Sequence, residues 1–95
     1  MNVAFENEVL DRCINDYEAP HTISSDLARD LKRSVCDAEV RAAFLSLASR
    51  GLVNAYVFDL SRSQYVPISA SAAQLEDAAW FMVSDKGRQR QDEAS

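Results

Sequence analysis

The hydrophobic period of this chain changes once, near Asn54, and that change limits the folds open to it more than any other feature. Before Asn54 the apolar residues recur every three or four positions, the spacing of one face of a helix. After it they alternate, the spacing of one face of a strand. The chain therefore reads as an α+β fold with its helices first.

In the helical part, Phe5, Val9, Leu10, Cys13, Ile14 and Tyr17 form one stripe, with Glu6, Glu8, Asp11, Arg12 and Asp16 on the remaining faces. This predicts a first helix over about residues 3–18, stopped by Pro20 because the residue before a proline is driven out of the helical region. His21-Thr22-Ile23 is then a short extended link. Ser24 or Ser25 is the expected N-cap of a second helix that starts near Ser25 and ends around Arg33 or Ser34, with Leu27, Ala28 and Leu31 buried. After the turn Ser34-Val35-Cys36, Asp37 is the expected N-cap of a third helix whose buried stripe is Val40, Ala43, Phe44, Leu47 and Ala48. Gly51 supplies the left-handed residue that ends it. Two helices joined by so tight a turn make a helix-turn-helix pair.

In the stranded part, Ala55 to Leu60 alternates, Ser61 to Gln64 reads as a turn, and Tyr65-Val66-Pro67-Ile68 as a return strand whose proline suits a sheet edge. Ser69 to Ala79 is alanine-rich and reads as a loop or one or two helical turns. Trp80 to Val83 is a third strand candidate, and Ser84 caps a final helix beginning at Asp85. From Gln89 the sequence is polar apart from Ala94, so residues 91–95 are expected to fray as a tail beyond a core over about 3–90.

A length of 95 residues allows one domain with one modest core, 1–95. No apolar run approaches the roughly 20 residues of a membrane span. The first residues turn acidic at once, unlike a secretory signal, so a cytoplasmic protein is expected. Cys13 sits on the first helical stripe as a core residue, whereas Cys36 lies in a turn, either buried or free. Two cysteines and one histidine, His21, make neither a disulfide framework nor a zinc site, and no cofactor is expected. A net charge of −5 counts against a protein that grips a polyanion by bulk electrostatics, although His21 to Pro67 carries six bases against five acids. No Gly-rich phosphate loop is present and His21 lacks an acid or nucleophile partner, so an enzyme is the least expected class. Trp80 and Phe81 are of the type that makes a stacking platform, but strand aromatics are more often core.

Ser49-Arg50-Gly51-Leu52-Val53 closes the third helix, and Trp80-Phe81-Met82-Val83-Ser84-Asp85-Lys86-Gly87-Arg88 follows the hairpin. In this order they resemble the winged-helix domains of bacterial transcription regulators over about residues 5–90. There the third helix commonly ends in an Arg-Gly-Leu-Val type motif, and the last wing strand runs into Ser/Thr-x-Lys-Gly-Arg. The resemblance implies a winged helix-turn-helix: a three-helix core, a β-hairpin or small three-stranded antiparallel wing, and a short C-terminal helix. The interval from Ser61 to Ala79 exceeds the usual wing loop and calls for a three-stranded or elaborated wing.

The function so implied is double-stranded DNA binding by a homodimeric transcription regulator, the third helix entering the major groove. The candidate DNA-binding residues are Ser24 and Ser25 through a helix N-terminus, Lys32 and Arg33 along the phosphates, Arg41, Ala42 and Leu45 on the third helix, and Arg62 at the hairpin tip. The plainer alternatives are ion pairs of Arg29 and Arg33 with Asp26 and Asp30, and a solvated surface charge at Arg41. The outer face of the third helix, Ala38, Ala42, Leu45 and Ser49, is small and apolar. That favours a second function, a protein-docking or dimerisation module that does not itself bind DNA.

Overall fold

The three helical stripes close on one another, and the stranded part folds back beneath them. The computed structural model describes residues 3–94. Its elements are α1 (Val3–Arg12), α2 (Pro20–Leu31), α3 (Asp37–Ser49), β1 (Val53–Asp59), β2 (Gln64–Ile68), α4 (Ala70–Gln74), β3 (Trp80–Val83) and α5 (Asp85–Ala94). The three strands form one antiparallel sheet in the order β2-β1-β3. The fold is α+β, and its order of elements is compatible with a winged-helix arrangement.

One core joins both parts. Phe5, Val9, Leu10 and Cys13 from the α1 stripe meet Ile23 and Leu27 of α2 and Val40, Phe44 and Leu47 of α3. Val53, Ala55, Phe81 and Val83 close it from the sheet, with Phe44 and Phe81 stacked at 4.5 Å between centroids. Each fully buried Leu or Phe contributes about 1.5–3 kcal/mol.

The first two helices depart from the sequence expectation. The first helix ends at Arg12, not near residue 18, because the following backbone is drawn into the sheet. The Val83 N–H donates to the Cys13 carbonyl (2.9 Å), while Glu18 and Phe81 exchange N–H···O bonds of 2.8 and 2.7 Å. A sheet bond at Glu18 forbids helical geometry there. Pro20 is the first residue of α2 rather than a stop, since proline lacks only an N–H that a first-turn residue would leave unpaired. His21, Thr22 and Ile23 are therefore helical, not an extended link. Thr22 Oγ1 accepts from the Ala19 N–H at 3.0 Å in place of the expected serine cap.

The α2 helix ends at Leu31, with Lys32 in the left-handed region at φ 56°. The N-cap of α3 is Cys36, and Asp37 is the first helical residue, where its carboxylate accepts from Ser24 Oγ (2.7 Å). Gly51, at φ 75°, takes the expected left-handed conformation. Pro67 lies on the edge strand β2 as its missing N–H requires. The alanine-rich interval contains α4, capped by Ser69 Oγ, which accepts from the Ala72 N–H at 3.0 Å. The C-terminal segment is helical through Ala94 rather than frayed from residue 91; Ser95 lies outside the described residues.

The two thiols have opposite settings. Cys13 is fully buried and its thiol is pushed up to about 12, first by burial and then by the charge of Glu18, whereas Cys36 is exposed and free. A thiol-specific reagent on the native protein is expected to label Cys36 promptly and Cys13 only after unfolding. Because the folded state holds the Cys13 proton more tightly, its stabilisation is complete below about pH 9 and fades as pH rises towards 12. The difference in denaturant midpoint between wild type and Cys13→Ala, measured at about pH 8 and about pH 11, should shrink at the higher pH. A constant difference would show that Cys13 is not the linked group.

Candidate functional site

The residues expected to contact DNA do not form one free cationic face. Ser24 and Ser25 lie in the second turn of α2, so their N–H groups are not a helix N-terminus; Ser24 is buried and donates to Asp37. That expectation failed because the helix begins at Pro20. Arg33 spans the turn to Glu39 with two bonds of 3.1 and 2.7 Å, not to Asp30, and lies over the Phe5 ring. The bond from Arg33 holds the Glu39 carboxyl below the usual carboxylate range. Arg29 pairs with Asp26 (3.0 Å) as its spacing suggested, while Asp30 is shared between Arg12 and, at 3.8 Å, Arg29. Arg62 is exposed in the β1–β2 turn, 3.7 Å from Asp59. Lys32 is exposed, and no ion pair is found for it among the described residues.

Arg41, expected to read bases from α3, is instead bound to the segment between β2 and β3. Its guanidinium donates to the carbonyls of Ala73 (3.2 Å) and Gln74 (2.9 Å), the C-terminal end of α4. A guanidinium there satisfies carbonyls that a helix end leaves open. Ala73 is fully buried, and α4 packs on both α3 and β1. The long wing interval is thus folded back against the third helix.

The exposed positions of α3 are Asp37, Ala38, Ala42 and Ser49, so its middle presents only small apolar side chains. Ala38 and Ala42, one turn apart, are exposed, while Leu45 is partly buried against the core rather than open. Leu75 follows the carbonyl that Arg41 holds and is 90% exposed. Sequence reasoning missed Leu75; the available signal was Ser69 followed by a run of helix-forming alanines, which places Leu75 at the end of a short helix.

The two motifs that suggested the family meet in space. The Ser84 N–H donates to the Leu52 carbonyl (3.0 Å), Ser84 Oγ donates to the Gly51 carbonyl (2.5 Å), and Lys86 Nζ donates to the Arg50 carbonyl (3.2 Å). Ser84 Oγ also accepts from the Gly87 N–H (3.1 Å), capping α5. Arg88 donates to the Ile14 carbonyl at 2.9 Å, tying α5 to the chain after α1. Both motifs therefore serve the junction between the end of α3 and the start of α5.

The sheet face opposite the core carries aromatic rows: Tyr56 stands between Pro67 and Trp80, and Phe58 opposite Tyr65. Tyr17 stacks on Tyr65 (3.9 Å) and meets Tyr56 edge-on (4.9 Å), and His21 packs against Trp80. All but Phe58 and His21 are half-buried, so this is mainly a second small packing layer. Among the described residues no His, Cys, Asp and Glu side chains gather as metal ligands, and no helix is long and apolar enough to cross a membrane. Comparison of the chain with protein-family models, with curated proteins and with solved structures finds no match.

Proposed function

We propose that this domain is a non-catalytic docking module, winged-helix in kind, whose α3 face pairs with a second copy of the chain. The observation that carries the reading is the capture of Arg41 by the α4 carbonyls, which removes the strongest base-reading candidate and leaves Ala38, Ala42 and Leu75 outward. Small residues one turn apart let a partner helix approach closely, and a face of this kind set against itself gives a closed twofold pair. The net charge of −5 agrees with protein docking better than with phosphate binding.

The test combines mass and DNA retention. Wild type is expected to sediment as a dimer, and Ala42→Glu or Leu75→Glu as a monomer, each with an unchanged circular dichroism spectrum. Both positions are exposed, so the charge is tolerated in the isolated fold; Leu45→Glu would instead strike the core. No salt-sensitive retention of duplex DNA is expected at low ionic strength. Retention that Lys32→Ala weakens would favour the DNA-binding regulator instead.

A further inference from the structure

A groove of about 710 Å³ runs between the end of α3 and the side of α5, lined by Ser49, Arg50, Leu52, Lys86, Gln89, Arg90 and Glu93. Its size falls within the range of small-molecule sites. Lys86 and Arg90, four residues apart, lie on one face of α5. Neither is in an ion pair among the described residues: Lys86 donates to the Arg50 carbonyl and Arg90 to Asn7 Oδ1 at 3.4 Å. Arg12, Arg29, Arg33, Arg50 and Arg62 are paired with carboxylates, and of the other cations Lys32, Arg41 and Arg88 lie outside this groove. Two cations without a carboxylate thus converge on one concave site of an acidic chain, with the amide of Gln89 between them in sequence.

We propose that this groove binds a small organic anion, its phosphate or carboxylate group held by Lys86 and Arg90. Glu93, one turn beyond Arg90, sets the orientation: it repels a second negative group and accepts a hydrogen bond from a ligand hydroxyl or amine. Leu52 and the aliphatic stems of Arg50 and Lys86 supply apolar contact for the ligand body. The site meets the outer α3 face only at Ser49, at the end of the helix, and does not depend on the docking reading.

The test is thermal unfolding of the full chain with glycerol phosphate as the phosphate probe and lactate as the carboxylate probe, each carrying one anionic group and a hydroxyl. At a probe concentration ten times its Kd the midpoint should rise by about 6–11 °C, and high salt should reduce the rise. The responding probe identifies the anionic group. Arg90→Gln should abolish the rise while Arg62→Gln, altered at the hairpin turn, retains it. Amide resonances of Leu52 and Gln89 should move with the same probe. Because Lys86 also bonds the Arg50 carbonyl, Arg90→Gln is the decisive variant. A flat midpoint and unmoved resonances with both probes, or a rise that survives in Arg90→Gln, would overturn the proposal.

Discussion

Gly87→Ala is expected to destabilise the fold by about 3 kcal/mol or more and to lower the thermal midpoint by more than about 10 °C. A methyl built at this position would overlap the Leu52 carbonyl oxygen and stand 2.9 Å from both the Leu52 carbonyl carbon and Val83 Cγ2. The carbonyl is backbone, held by the Ser84 N–H, and cannot rotate away. To relieve the overlap α5 must lift from the end of α3, breaking the Ser84 and Lys86 bonds to Gly51 and Arg50 together. Gly51 provides the contrast. A methyl there meets only Lys86 Cδ at 3.9 Å, so Gly51→Ala carries just the left-handed backbone cost of roughly 1–2 kcal/mol. Chemical denaturation of both variants checks the order; equal losses would contradict the close approach at Gly87.

The second large effect lies under α1. Glu6 is only 4% exposed, pairs with Arg50, and has Ser46 Oγ 3.5 Å from its carboxylate oxygens. Arg50→Met removes the partner and leaves a buried carboxylate uncompensated, an expected loss of about 3 kcal/mol. The double variant Glu6→Leu, Arg50→Met removes both charges and should recover most of that loss, because desolvating the pair offsets much of its attraction. A double-mutant cycle in denaturant reads the coupling directly. Losses that simply add would show that the pair is not coupled.

The parts of this fold that were legible in sequence are those decided by local pattern. The α3 stripe needed only its own period, Gly51 its position after the last buried turn, and Pro67 its incompatibility with a central strand. The misjudged parts were decided by distant contacts. Nothing in residues 13–18 announces that Glu18 must pair with Phe81, so a helical stripe continuing through Tyr17 looked like one helix. Pro20 is equally consistent with ending one helix and beginning the next; only the Ala19 and Thr22 contacts select the second. Glu6, expected on an outer face because of its charge, precedes Val9 and Leu10 by three and four residues and is buried beside them, its charge met by Arg50.

The candidate site was less legible because the sequence cannot show which cations are already engaged. Arg33 to Glu39 and Arg41 to the α4 carbonyls are contacts between elements, and each converts an apparent phosphate ligand into a structural tie. The Ser-x-Lys-Gly-Arg segment shows the same limit. Its serine, lysine and glycine each have a role at the α3–α5 junction, so its presence supports the architecture without specifying a ligand.

The most direct test of the docking account is the sedimentation-equilibrium mass of wild type beside Ala42→Glu. The account predicts twice the chain mass for the first and a single chain mass for the second. A monomeric wild type, or a dimer that Ala42→Glu leaves intact, would contradict it.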